Sequence, residues 1–357
     1  MKKVLMIASE SSHFRNFHVP YIEYLLDRGV EVHTAANGVF EHEGVVHTTL
    51  GFRKKITSPA NIRVIFKLAS LIRRERFDAV YTNSTLAGIA GRMAAKFSGV
   101  KSAKCRHICH GYLFNDDGSK RSRVYLACEK LVRKRTELLA VMNKADIEIA
   151  NKYSLGREVV FLNGMGLDAK KFPLLSAEEI AAQRGRLGAI DGGVLFLCVG
   201  EFSARKNQSA IIEAFAKLKR TDCKLIFAGE GELLEQCKAQ AQELGIGDKT
   251  VFLGHCSNVN LLYRACDCLI SASRFEGLPF NVMEALYCGE DIIVSDVKGN
   301  CDLAENFGGI YRYGDIERLT ELMESAAPAK RAHTLSERYL LENVLKENIV
   351  FLKYNEL

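Results

Sequence analysis

Short apolar runs alternate with helical stretches along almost the whole chain, and this alternation constrains the fold more than any other feature. In the first half the runs fall at 4–9, 30–35, 79–82, 105–109, 138–141 and 159–161, most of them dense in Val, Leu and Ile. Helical patterns at 18–27, 61–74, 86–97 and 124–135 separate them. A strand followed by a helix and another strand returns the chain to the same edge, so the pattern predicts a mostly parallel sheet covered on both faces. Strands buried on both faces lose the in–out alternation and read as short continuous apolar runs.

The pattern breaks once. The segment NGMGLDAKKFP at 163–173 is rich in Gly and ends in Pro, a helix is predicted over 177–187, and the alternation then restarts. Strands are predicted at 194–199, 224–228, 250–253, 268–271 and 292–295, helices at 208–220, 233–244, 258–265 and 282–288, and a last helix within 336–354. A length of 357 residues exceeds one comfortable core. The reading is an α/β chain with domains at 1–170 and 171–340, and a helical tail, 341–357, placed to pack back toward the first. Open α/β sheets bind ligands at their strand C-termini, so a cleft between two facing domains is the default site.

Compartment and partners follow from what the chain contains. The opening MKKVLMIASESSHF has only five apolar residues before polar ones follow, which fits a first strand better than a secretory signal. No apolar run approaches the roughly 18 residues of a membrane span. The eleven cysteines are odd in number and several sit in apolar runs, which fits a reducing compartment. The expectation is a cytoplasmic protein, peripheral at the inner face of the membrane. Zinc on Cys105, Cys109, His107 and His110 is disfavoured, because these residues lack paired CxxC spacing.

The net charge of +6 is unevenly divided. Residues 1–170 hold 28 Lys and Arg against 16 Asp and Glu, whereas residues 171–357 hold 21 against 27. A basic half calls for an anionic partner: nucleic acid, an anionic membrane or a phosphorylated ligand. The basic residues gather at 53–55, at Arg63, Arg73, Arg74 and Arg76, and in the run 120–135. That run mixes Lys120, Arg121, Arg123, Lys130, Arg133, Lys134 and Arg135 with Val124, Tyr125, Leu126, Leu131 and Val132, a composition suited to an anionic leaflet. A solvated helix covering the sheet would look the same. No nucleic-acid partner is expected, since the other half is acidic and no zinc-finger, GxxG or RNP pattern is present.

The most specific segment is SASRFEGLPFNVMEALYCG at 271–289. A strand runs into a Gly-containing loop, and Pro279 sits at or just before the first turn of a helix, where proline is favourable. Backbone N–H groups of Gly277, Leu278 and the helix start suit a phosphate. Glu284, inside the helix, can accept hydrogen bonds from ribose hydroxyls, and Glu276, in the loop, can do the same for a sugar. Pattern alone equally allows two solvated acids.

This segment resembles the E-x7-E motif of the retaining glycosyltransferase family 4, the group 1 glycosyltransferases. FLCVGEFSARKNQSAIIEAF, LIFAGEGELLEQC and VSDVKGNCDLAENFGGIYRYGD resemble further family segments in the same order, and HGYLF and GFRKKITSPANI extend the likeness to the first half. The resemblance implies the GT-B fold, two facing Rossmann-like domains with a deep interdomain cleft. It implies that Glu276 contacts the donor sugar, Glu284 holds the ribose, Lys206 binds the diphosphate, and His110 hydrogen-bonds a sugar hydroxyl with Gly111 letting the backbone approach. Gly200, Gly229 and Gly231 would lie along the nucleotide, Ser12 and His13 over the phosphates, and Gly299 and Asn300 in a late loop at the cleft.

Two positions depart from the family pattern. Glu201 stands where an arginine commonly follows the first loop glycine, so either Arg205 supplies the second positive charge or Lys206 and helix N-termini suffice. SESSHF replaces a glycine-rich loop after the first strand. The implied reaction is transfer of a sugar with retention from a nucleoside-diphosphate donor, foremost a UDP-sugar, to a glycan or lipid-diphosphate-linked glycan in exopolysaccharide or capsule synthesis. No cofactor and no obligatory metal are implied. A UDP-sugar hydrolysing epimerase and a catalytically silent binding module are the alternatives.

Overall fold

The computed structural model describes residues 1–53, 58–100, 104–304, 309–328 and 335–357. Lys54 and Lys55 of the basic segment, and 305–308 of the late segment, lie outside the described residues. The chain forms two compact units, one comprising Met1–Gly166 with Leu341–Leu357 and the other Leu167–Leu340.

The first unit is built on a parallel sheet of β1 (Lys3–Glu10), β2 (Glu31–Asn37), β3 (Val45–Thr49), β4 (Ala79–Asn83), β5 (Lys104–Ile108), β6 (Thr136–Val141) and β7 (Glu158–Phe161). Their order is β3-β2-β1-β4-β5-β6-β7, the doubly wound order with its reversal between β1 and β4. Its helices are α1 (Ser12–Phe17), α2 (Val19–Leu26), α3 (Pro59–Glu75), α4 (Thr85–Phe97), α5 (Lys120–Val132) and α6 (Lys144–Lys152). β1 is central, and Val4 to Ala8 are fully buried. β3 lacks a sequence signal because it is an edge strand whose side chains are exposed or half-buried.

Close approach of α4 to the sheet is set by small residues. A Cβ on Gly88 would stand 2.3 Å from the His107 ring, and one on Gly91 2.6 Å from Thr82. The same helix carries Arg92 into the interior, where its guanidinium meets Glu129 at 2.9 Å with both side chains essentially inaccessible. Gly88 O and Thr136 Oγ1 accept its remaining donors.

The second unit repeats the plan. Strands β8 (Val194–Val199), β9 (Cys223–Ala228), β10 (Thr250–Phe252), β11 (Cys268–Ser271), β12 (Asp291–Ser295) and β13 (Gly309–Tyr311) are parallel in the order β10-β9-β8-β11-β12-β13. Helices α7 (Ala177–Arg186), α8 (Gln208–Ala216), α9 (Leu234–Glu243), α10 (Val259–Ala265), α11 (Phe280–Cys288), α12 (Asn300–Ala304) and α13 (Ile316–Glu324) connect and cover them. The reversal falls between β8 and β11, so the loops leaving these two strands flank the place where such sheets bind ligands.

The last helix, α14 (Leu341–Phe351), belongs to the first unit. Asn348 donates to Tyr21 Oη and to Gly164 O, and Tyr354 stacks on Tyr81 with ring centroids 4.5 Å apart. Arg106 donates to Leu352 O and Lys353 O, fastening the end of the chain to β5. Among the described residues no helix is long and apolar enough to cross a membrane.

Removing one partner of the Arg92–Glu129 pair leaves a buried charge without compensation, a change that costs about 3–5 kcal/mol. Glu129→Ala is expected to lower unfolding free energy in urea by that amount, and Arg92→Met with Glu129→Leu to recover most of it. Equal losses in the single and double variants would show that the pair is not the source.

Candidate active site

In the second unit the sequence-selected residues converge on the reversal between β8 and β11. The loop leaving β8 runs from Gly200 to Asn207, where α8 begins after a left-handed Asn207. Gly200 N donates to Ala228 O, Phe202 N to Glu230 O and Gly229 N to Gly254 O, tying the loops after β8, β9 and β10 together through backbone alone. Side chains cannot fit there. At Gly229 (φ +145°) a Cβ would lie 2.1 Å from Gly200 O, and at Gly231 (φ +155°) 2.3 Å from Phe202 O.

Lys206 crosses Gly200, its Cε 3.3 Å from where a Cβ on that glycine would be, and its Nζ reaches Glu276 Oε1 at 2.7 Å. Arg205 Nη1 reaches the same oxygen at 2.9 Å and also donates to Phe275 O. Glu276 lies in the loop leaving β11 with a side chain only 9% exposed. Burial works against its ionisation, but Lys206 and Arg205 outweigh that effect and hold the carboxyl below its ordinary range. The result is a fixed carboxylate with two cations on it, next to the backbone of Gly277 and Leu278. Gly299 (φ +81°) closes this loop from the other side, since a Cβ there would meet Gly277 O at 2.2 Å. Buried Asn300 opens α12 and donates to Ser295 O, a structural contact at the end of β12.

Pro279 is the N-cap of α11, and Glu284 lies one turn and a half inside it. Tyr263, on α10 and fully buried, donates to Glu284 Oε2 at 2.6 Å. Burial raises the Glu284 carboxyl above its ordinary value, opposed by that hydrogen bond and by the charges of Lys171 and Lys206. Glu201 is exposed, and what the protein uses of it is its carbonyl, which accepts from Gln208.

The first unit brings together a different group. Ser12 and His13, expected in a loop, occupy the first turn of α1; this helix is six residues long and has no side-chain cap, so no helical signal precedes it. His13 Nε2 and His110 Nε2 are 3.1 Å apart, one ring donating to the other, and the rings meet edge to face. His18, between α1 and α2 and fully buried, is the third member: one nitrogen from each of the three rings lies within 4.8 Å of the others. Burial holds all three neutral, pushing His13 down to about 4 and His18 and His110 well below their ordinary value, and mutual repulsion adds to it for the last two. His107 points elsewhere, against Thr82. Cys105 and Cys109 are both buried.

Two of these residues carry no motif in the sequence. Tyr263 sits in an unmarked VNLLYRA helix. His18 has one faint signal, its placement five residues after His13 with Phe14 and Phe17 between them.

Two doubly wound sheets with an acid and two cations at the reversal of the second define a GT-B glycosyltransferase. Comparison with known families agrees: residues 179–334 match the glycosyl transferases group 1 family and residues 21–161 the glycosyl transferase 4-like domain. The chain belongs to this family, glycosyltransferase family 4, and is a glycosyltransferase. EpsD of Bacillus subtilis, assigned as a glycosyltransferase, is 28% identical over 339 residues, covering 94% of this chain and 87% of EpsD. The UDP-Gal:alpha-D-GlcNAc-diphosphoundecaprenol alpha-1,3-galactosyltransferase of Escherichia coli is 26% identical over 308 residues, covering 83% of this chain and 78% of that protein. The crystal structure of Anabaena Alr3699/HepE in complex with UDP superposes with a TM-score of 0.77 at 16% identity, over 100% of both chains.

The neutral histidines set a pH dependence. In the unfolded chain they protonate near the ordinary value of about 6.5, while the folded protein resists protonation to lower pH. The unfolded state therefore binds more protons as pH falls, and stability is lost below about pH 6.5 at up to about 1.4 kcal/mol per pH unit per histidine. Above that window they contribute nothing. Urea midpoints at pH 7.5, 6.5 and 5.5 check this: a fall confined to the lower interval is expected, less steep in His13→Asn.

Proposed function

We propose that the chain is a retaining glycosyltransferase that moves a sugar from a UDP-sugar to a hydroxyl of a glycan or lipid-diphosphate-linked glycan during surface polysaccharide assembly. The observation that carries this reading is the Lys206–Glu276–Arg205 cluster at the reversal of the donor sheet. A diphosphate is a stronger anion than one carboxylate, so an incoming donor draws Lys206 onto its phosphates and releases Glu276 to accept sugar hydroxyls. Lys206 and the N–H groups of Gly277 and Leu278 then stabilise the negative charge that develops as the nucleotide leaves. Glu284, oriented by Tyr263, accepts the ribose hydroxyls, and His110 is assigned to a hydroxyl of the donor sugar. For retention, the departing phosphate takes the proton of the attacking hydroxyl on the same face, so no enzymic nucleophile is invoked. Support for the substrates comes from relatives: the Anabaena structure holds UDP, and the Escherichia coli protein is named for transfer to a diphosphoundecaprenol acceptor.

The basic run of the first unit is assigned to an anionic membrane surface. Lys120, Arg121, Arg123, Lys130, Arg133, Lys134 and Arg135 are all exposed, and Val124 and Leu131 stand beside them with 58% and 61% of their surface in solvent. Each basic group near such a surface contributes roughly 1 kcal/mol.

A donor screen with and without membrane extract, reading nucleotide release, tests the reaction. Release only with extract is expected; release without it means hydrolysis, and none with any donor means a silent module. Glu276→Ala and Lys206→Ala are each expected to cut turnover by about 10²–10³ or more with the fold intact by circular dichroism, and turnover is expected to need no added divalent cation. Normal turnover in both variants sinks the assignment. Co-sedimentation with vesicles rich in anionic lipid should weaken when Arg121, Arg123, Lys130 and Lys134 are neutralised, and should weaken with salt in the parent protein.

A further inference from the structure

We infer that His13, His18 and His110 form a binding site for a divalent transition-metal cation such as Zn²⁺. Three elements of the first unit deliver one imidazole each: the first turn of α1, the α1–α2 junction and the turn after β5. The three ring nitrogens lie within 4.8 Å of one another, and the His13–His110 pair is at 3.1 Å. Zinc binds histidine nitrogen at about 2.0–2.1 Å, which sets tetrahedral nitrogens about 3.4 Å apart. One pair is thus already at ligand spacing, and the His18 nitrogen lies within 4.8 Å of both.

The bonding state of His18 carries the argument. It is wholly buried and Asn83 can engage only one of its ring nitrogens, so the other is left without a hydrogen-bond partner. A buried polar group without a partner costs free energy and calls for a ligand. Asn83, itself fully buried, is the side chain that hydrogen-bonds His18. A metal-bound imidazole needs an acceptor of this kind for its other N–H.

The donor set decides which cation. Three imidazoles with neither carboxylate nor thiolate suit Zn²⁺, Co²⁺, Ni²⁺ or Cu²⁺ and disfavour Mg²⁺ and Ca²⁺, which take oxygen ligands. Neutral rings present their lone pairs without first losing a proton. His13 and His110 are half-buried, and three protein ligands leave a fourth position of a tetrahedral ion for water or another ligand. A cation held there takes the lone pair of His110 away from a sugar hydroxyl; that consequence rests on the transfer reading, whereas the binding itself does not.

The test is calorimetric titration of the metal-free full-length protein with Zn²⁺ in the absence of donor, backed by the visible spectrum of the Co²⁺ form. One Zn²⁺ per chain is expected, with a rise in Tm on saturation. His13→Asn and His18→Ala should each weaken binding by at least about tenfold, while the exposed His255→Asn leaves it unchanged. His13 is half-buried, so its variant keeps the test valid if the His18 variant fails to fold. Absence of Zn²⁺ binding by the parent protein overturns the inference, as does undiminished binding in His13→Asn. Neither result bears on nucleotide release in the donor screen.

Discussion

The second unit depends on how closely parallel strands bring their outgoing loops together. Neighbouring strands run about 4.8 Å apart, so the loops that leave them at one edge have no room for side chains between them. At Gly229 and Gly299 a Cβ would lie 2.1 and 2.2 Å from a facing carbonyl, and both residues have backbone angles that L side chains rarely adopt. Glycine at these points lets the loops stack backbone on backbone. That stacking makes Lys206 and Glu276, seventy positions apart, immediate neighbours. The glycines therefore act on the site through the distance they set between its loops.

Titratable groups near the reversal are handled oppositely in the two units. In the second, a nearly buried carboxylate stays ionised because two cations outweigh its desolvation. In the first, imidazoles that burial keeps neutral come from the helices after β1 and from the turn after β5, one strand beyond the reversal. Fixed charge suits a ligand that brings charge, such as a diphosphate. Neutral rings suit hydroxyls, or a cation that shares its charge with nitrogen lone pairs. The uneven charge of the sequence belongs to the surface; among the described residues, the buried charged side chains of the basic half's interior are the Arg92–Glu129 pair, Arg106 and Asp146.

What the sequence made legible follows burial. The strands at 194–199 and 268–271 match the structure to the residue because both are central and, Ser271 apart, apolar, with turn residues after them. β3 left no such mark, being a half-exposed edge strand, and α12 and α13 escaped for a different reason: one has five residues and the other follows a strand of three. Among candidate site residues, Glu276 and Glu284 stood out because Gly277 and the helix-starting Pro279 frame them, and Lys206 through the family resemblance. Tyr263 and His18 did not, since each acquires its role from an element distant in sequence, Glu284 on α11 for the first and His110 after β5 for the second.

The departure at Glu201 shows how such a site tolerates loss of an expected cation. A single lysine against Glu276 would form a neutral pair, leaving no excess charge to attract a diphosphate. Arg205 restores that excess from the same loop, reaching the same carboxylate oxygen at 2.9 Å. Its side chain is 41% exposed against 13% for Lys206, so solvent screens it and its pull on an anion is the weaker of the two. Lys206 thus supplies the near, poorly screened charge, and Arg205 keeps the cluster positive. Glu201 is turned to solvent with only its carbonyl engaged, while Arg205, four residues along the loop, is the second cation in contact with Glu276.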